Sequence, residues 1–298
     1  MPRRARHPHR QTLQSNTYRF FVEPSAFRGR DVLIENAELT HQLGNVLRLR
    51  AGERVLLLDN SGWQYVVTLS QVEPGRVAGI VERKELAGGE PRTKLTLYVA
   101  LMRPERFEWV LQKGTELGVS AFVPLICERS TIADAGELSE RKLDRWGRIV
   151  REAAEQARRG KVPRLAPALL FPTACDQAVQ RGLAILLWEG MGTLSLRRML
   201  REPTGMGWGR ELGGQKASAP DRSTSGGPAP APPGTAVPRA PFSVALFSGP
   251  EGGFTANEFE TARRYGMITA TLGPRTLRAE TAPIVAASVI LYEMGDLE

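Results

Sequence analysis

Residues 247–258 read Phe-Ser-Gly-Pro-Glu-Gly-Gly-Phe-Thr-Ala-Asn-Glu, and the fold turns on this stretch. The apolar run before it, Ser243–Phe247, predicts a strand, and Ala256–Tyr265 after it predicts a helix. Thr255 suits the N-cap, and Glu258 three positions on completes a capping box. Phe254 before the cap and Phe259 after it can form a hydrophobic staple. One or two glycines would serve an ordinary strand-to-helix turn. Gly249, Gly252 and Gly253 around a Pro-Glu pair exceed that need, and they let a ligand approach the backbone closely. No Lys-Ser/Thr follows, so this is not a phosphate loop. Nor is the spacing that of the Gly-x-Gly-x-x-Gly dinucleotide motif.

A second stretch repeats the logic. Met267–Leu272 predicts a strand, Gly273-Pro274 a turn, and Ala282–Met294 a helix. Thr281 can cap that helix, and Pro283 fits its first turn. Arg275, Arg278 and Glu280 crowd the loop. Alone, they would read as a surface ion pair beside a cap. Two such loops at the C-terminal ends of neighbouring strands point to a ligand site, because open α/β sheets bind ligands there.

Upstream the same alternation continues. Lys94–Leu101, Ala121–Ile126 and Gly182–Trp188 predict strands; Pro104–Leu117, ended by Gly118, and Ser139–Arg159, stopped by Gly160, predict helices. Strands alternating with helices indicate α/β with a mostly parallel sheet. Before residue 90 the rhythm differs. Short strands at 18–22, 31–35, 54–59, 64–72 and 76–82, with one short helix over Glu38–Leu49, suggest a small barrel, and residues 87–92 a linker out of it. Residues 203–240 hold seven Pro and eight Gly, which reads as a flexible insertion between two β-α units.

The net charge of +8 comes from 40 Lys+Arg against 32 Asp+Glu. Residues 1–30 carry a net +6 and residues 203–240 a net +2, so the rest is close to neutral. The basic stretch 1–16 has no hydrophobic period and reads as a solvated tail that can add non-specific RNA affinity. Cys127 and Cys175 can build neither a disulfide framework nor a zinc site, so no metal is expected. No apolar run approaches the roughly 18 residues of a membrane span, and the N-terminus lacks the apolar stretch of a secretory signal. The expectation is a soluble, cytoplasmic protein of two domains.

The two loops resemble those of the knotted SPOUT methyltransferases, specifically the RsmE family. Further matches are Tyr18-Arg-Phe-Phe-Val22, His41 with Val46-Leu-Arg48, Gln112–Val119, Glu128-Arg-Ser130, and Glu152–Gln156 through Arg158 to Pro163. The resemblance covers about residues 17–200 and 241–298. It implies an α/β SPOUT domain with a parallel sheet and trefoil knot over residues 91–298, preceded by a PUA-like β-barrel over residues 17–90. It also implies S-adenosylmethionine as cofactor, 16S ribosomal RNA or the small subunit as partner, and a homodimer. The reaction implied is methylation of N3 of a uridine, position 1498 of 16S RNA.

On this resemblance, Gly249, Glu251, Gly252, Leu272, Gly273 and Leu277 hold the cofactor, with Leu187 and Glu189 lining the pocket. Thr281 is counted with them, although its first reading is the helix cap. Arg278 is expected to face the target base and stabilise its anion. Glu280 is read as a base or as the group that orients Arg278, with orientation preferred because an acid beside Arg is a weaker base. Arg19 and Arg48 are expected phosphate contacts. Lys113 fits either an i,i+3 pair with Glu116 or a contact to RNA or a second subunit. Arg129 and Arg158 complete the expected RNA contacts, and His41 reads as structural or as a polar contact to RNA. Two other functions fit less well. A non-catalytic RNA-binding assembly factor has no need of a cofactor pocket, and a nucleotide-dependent enzyme lacks its phosphate loop. Deleting residues 205–238 should leave both melting temperature and cofactor affinity close to those of the full chain. A large drop in melting temperature would overturn the reading of this segment as an insertion.

Overall fold

A computed structural model describes residues 17–130, 138–190, 194–201 and 243–297. The basic tail 1–16 and the insertion 203–240 lie outside the described residues.

The first sheet has six strands: β1 (Arg19–Phe21), β2 (Phe27–Arg28), β3 (Asp31–Ile34), β4 (Arg54–Leu58), β5 (Trp63–Glu73) and β6 (Arg76–Leu86). Their order is β1-β4-β5-β6-β3-β2, antiparallel except for β1 beside β4. Alternation separates its two faces. Phe20, Val55, Leu57, Val67 and Val77 build this sheet's own core, while Phe21 and Leu58 face Ala154 of the large domain. The helix expected over Glu38–Leu49 is shorter. Asn36 caps α1 (Ala37–His41) by accepting from the Leu39 N–H at 2.9 Å, and the chain then widens into a π turn, Gln42–Val46. Leu43 within the turn and Leu49 just beyond it are both buried.

The second sheet contains β7 (Lys94–Ala100), β8 (Ala121–Ile126), β9 (Arg164–Leu165), β10 (Leu169–Leu170), β11 (Leu183–Leu187), β12 (Leu194–Ser195), β13 (Ser243–Ser248) and β14 (Ile268–Thr271). All its pairings are parallel, in the order β10-β8-β7-β13-β11-β14-β12, with β9 also on β8. The helices are α2 (Pro104–Leu117), α3 (Glu140–Gln156), α4 (Phe171–Val179), α5 (Leu196–Arg201), α6 (Ala256–Arg264) and α7 (Thr281–Glu293). They cover both faces, which explains the near-continuous apolar strands. On one face Leu95, Leu97 and Val99 pack with Phe107, Trp146 and Ile290; on the other Tyr98, Ala100 and Phe247 pack with Phe171, Ala174 and Ala262. Tyr98 stacks on Phe247 with ring centres 4.3 Å apart. The helices α4 and α5 escape a sequence reading because they are short.

Two sequence expectations need correction. Thr281 does not cap α7; it is the first helical residue, Glu280 holds the cap position, and no side chain closes that end. The helix expected to reach Arg159 stops at Gln156. Arg158 then takes a left-handed φ of +58°, which swings Arg159 into the interior, where it is 2% exposed. Arg159 donates to the carbonyls of Val119 and Thr115, at 2.6 and 3.2 Å, and makes a two-pronged pair with Glu90 at 2.8 and 3.1 Å. Glu90 also accepts from the Gly160 and Lys161 N–H groups, so it fixes the linker to the end of α3.

The same helix grips the first sheet. Glu155 accepts from the Phe21 N–H at 2.8 Å, and Arg151 donates to the Phe21 carbonyl at 3.2 Å. Burial pushes the Glu155 carboxyl up to about 7, against a usual 4.5. Its contribution to stability is therefore present below the unfolded value and is lost as pH rises through about 7. Glu155→Gln keeps an acceptor for Phe21 and removes the titration. The variant should melt a few degrees above wild type at pH 8, and the two should converge toward pH 5. Parallel melting curves at both pH values would reverse this assignment.

Candidate functional site

In a parallel sheet every strand ends on the same edge. Strand β13 sits between β7 and β11, and β11 between β13 and β14. Their C-terminal loops therefore meet, around a cavity of about 670 Å³. The structure brings together Leu187, Glu189, Gly249, Glu251, Gly252, Leu272, Gly273, Leu277 and Arg278 on its walls. Thr281 and Glu280 are not among the lining residues.

The first loop is built as its sequence indicates. Thr255 accepts from the Glu258 N–H at 3.2 Å, and Glu258 accepts from the Thr255 N–H at 2.8 Å, closing the capping box. Phe254 and Phe259 join the same apolar cluster. Glu258 does more than cap. It is 5% exposed, and its other oxygen accepts from the Glu128 N–H at 3.0 Å. Beside it, Arg129 donates to the Gly252 carbonyl at 2.7 Å. The exit of β8 is thus stapled to the glycine loop, and Arg129 lines the cavity. A side chain at Gly249 would meet the Phe254 ring and amide at 3.2 Å. Gly253 has φ +67° and Gly273 +112°, backbone that L side chains rarely adopt.

The charged wall contains a residue that sequence reasoning missed. Arg106, on the first turns of α2, lies 3.4 Å from Glu251 and 3.8 Å from Glu280. Arg278 is 79% exposed and 4.0 Å from Glu280. Glu280 is therefore shared between two arginines, and its Oε2 is buried without a hydrogen bond. The signal for Arg106 was positional: α2 leaves the C-terminal end of β7, next to β13. Arg275 also lines the cavity, so four arginines surround it. Burial raises both thiols, Cys175 to about 12, and neither is a nucleophile. Among the described residues no group of three His, Cys, Asp or Glu could hold a metal.

The other expected RNA contacts lie elsewhere. Lys113 makes the i,i+3 pair with Glu116 at 2.8 Å. Arg19 is half-buried, and its Nε and Nη2 have no hydrogen-bond partner. Desolvation lowers its pKa, and the charge of Arg158 lowers it further, so the structure brings these two arginines together at the domain junction. Arg48 is exposed, with a left-handed φ of +55°.

Comparison with known proteins gives first the class. The chain belongs to the RNA methyltransferase domain family, which matches residues 89–206 and 232–291. Within it, the chain groups with the ribosomal RNA small subunit methyltransferase E proteins. The one from Synechocystis is 32% identical over 92% of this chain and 77% of its own length. That of Bacillus subtilis is 28% identical over 86% of this chain and 88% of its own. The Neisseria gonorrhoeae protein of the same name, solved bound to S-adenosyl methionine, is 25% identical with a TM-score of 0.71 and covers 93% of this chain and 98% of its own. A Legionella pneumophila protein solved as a methyltransferase with bound SAM is 26% identical, with a TM-score of 0.73 over 93% of this chain and 98% of its own.

The two glycines make a direct contrast. Gly273→Ala forces an alanine into an unfavourable φ and should cost about 1–2 kcal/mol, a drop of a few degrees in melting temperature. Gly252→Ala meets only the flexible Arg129 side chain, at 3.2 Å, and should melt like wild type. Equal melting of all three proteins would show that the Gly273 turn carries no strain.

Proposed function

We propose that this protein methylates small-subunit ribosomal RNA with S-adenosylmethionine, at N3 of a uridine in the 16S molecule. The observation that carries this is the cavity where the glycine loops of β13 and β14 meet beside Arg278. Its volume of about 670 Å³ suits a ligand of the cofactor's size. Leu187, Leu272 and Leu277 offer apolar walls for an adenine, and the backbone of Gly249, Gly252 and Gly273 can come close to it. Glu189 and Glu251 supply negative charge for a cationic donor.

The cofactor, when bound, supplies an activated methyl group. The chain's residues must position the uridine, remove the N3 proton and hold the resulting charge. Arg278 is exposed enough to reach a base, and its fixed charge stabilises the uridine anion. Glu280, within 4.0 Å of both Arg278 and Arg106, orients them rather than acting as base. Orientation of two reactants can supply up to roughly 7–11 kcal/mol of barrier reduction.

We read the large domain, residues 91–298, as a SPOUT domain with a trefoil knot, and residues 17–90 as a PUA-like barrel for RNA. The place of β13 in the sheet, between β7 and β11, supports the first reading. Arg19, Arg48, Lys113, Arg129 and Arg158 are the RNA contacts of this reading. A homodimer fits α7, which is apolar all round and leaves Val285 and Tyr292 exposed. The reaction belongs in the cytoplasm with the ribosome. Among the described residues no helix is long and apolar enough to cross a membrane.

Calorimetry and methyl transfer to small subunits test the assignment together. Wild type should bind about one cofactor per chain. Arg278→Ala should keep that binding and lose about 10²–10³-fold in rate. An inactive wild type without cofactor binding would refute the enzyme reading in favour of an RNA-binding assembly factor.

A further inference from the structure

A second cavity, of about 300 Å³, lies at the far end of the small domain, against the π turn Gln42–Val46. Leu49, Val72 and Pro74 give it apolar surface; His41, Asn45 and Glu73 give it polar walls. The turn beside it is costly in conformation. π geometry is rare and concentrates at functional sites. The chain leaves the turn through Arg48, a non-glycine residue at φ +55°. Leu43 in the turn and Leu49 after it are buried, and the Leu49 N–H bonds the Leu43 carbonyl at 3.0 Å. The result displays Val46 at 64% exposure, next to an exposed arginine. Folding alone has no use for an exposed valine there.

The polar wall is organised. Asn45 Nδ2 and His41 Nδ1 lie 2.9 Å apart. Whichever way the amide is turned, the amide with a neutral imidazole then keeps two further donors and at least one further acceptor to offer. That is the pattern a nucleobase edge presents. Glu73, which also lines the cavity, repels a phosphate but accepts from a base amino or imino group. Apolar walls with a donor, an acceptor and a carboxylate suit a flat, neutral, hydrogen-bonding ring.

We propose that this cavity takes one unpaired base of the RNA substrate, with Arg48 on the neighbouring phosphate. The occupant rests on the RNA reading above, since sequence-specific proteins read splayed single-stranded bases in this way. The small domain would then select the RNA segment, while the glycine-loop cavity performs the transfer.

Two variants of the full chain isolate the cavity. His41→Ala/Asn45→Ala removes the polar pair. Gly44→Leu plugs the cavity from a position where a Cβ meets only Val72, at an ordinary 3.5 Å. Ile80→Ser, at an exposed site of the same domain, is the control. Binding of a 16S ribosomal RNA transcript is measured by fluorescence anisotropy across a salt series, with cofactor affinity measured in parallel. Both cavity variants should bind RNA about tenfold more weakly, with unchanged cofactor affinity and unchanged salt slope. Arg48→Ala should instead reduce the slope by about one. Cavity variants that bind like wild type, or that lower the salt slope as a lost phosphate contact would, overturn the inference alone. A wild type that binds no RNA overturns both the inference and the function it rests on.

Discussion

The constraint on which the rest depends is the common direction of the strands in the large sheet. Strand β13 is inserted between β7 and β11 although it follows both in the chain, and β11 is flanked by two strands that come after it. All run the same way, so all their exits fall on one edge. Two glycine loops 24 residues apart in numbering, at Gly249 and Gly273, become walls of one cavity. Arg106 and Arg129 arrive there from β7 and β8 by the same rule, and of the two only Arg106 had no motif to announce it. The apolar filling that holds this order has two layers, and the stacked Tyr98 and Phe247 rings tie β7 to β13 in one of them.

Around the cavity, structure and chemistry share side chains. Glu258 closes a helix cap and also holds the exit of β8, so the glycine loop cannot shift without moving Arg129. Glu280 lies between Arg106 and Arg278, one half-buried and the other exposed. A carboxylate placed there leaves one arginine fixed and the other extended toward solvent. Positive charge is thus concentrated at this edge of the sheet, while the chain as a whole outside its tail and insertion is nearly neutral.

The two domains are joined through helix α3 and the residues after it. Glu155 and Arg151 grip the backbone of Phe21, and Arg159 with Glu90 fixes the linker. Arg159 is almost fully buried, yet its donors meet two carbonyls and a carboxylate, so its charge is compensated rather than stranded. The orientation of the small domain relative to the glycine-loop cavity therefore rests on a few buried polar contacts.

Much of this was legible in the chain itself. Continuous apolar runs separated by amphipathic helices specify a parallel sheet, because only strands covered on both faces need no polar side. The Thr255–Glu258 capping box and the clustered glycines marked the site for local reasons, since both are consequences of backbone geometry within a few residues. What depends on distance was not legible. Strand order, the convergence of Arg106, the sharing of Glu280, and the turning of Arg159 inward all join residues far apart in sequence. Two local details were not legible either: the Thr281 and Ala282 N–H groups both bond the Arg278 carbonyl, so that helix starts without a side-chain cap, and the chain widens at Gln42–Val46 beside buried Leu43 and Leu49. Local periodicity determined which segments form elements; only the burial of those elements against one another decided which side chains meet, because contact energy is gained between surfaces and not along the chain.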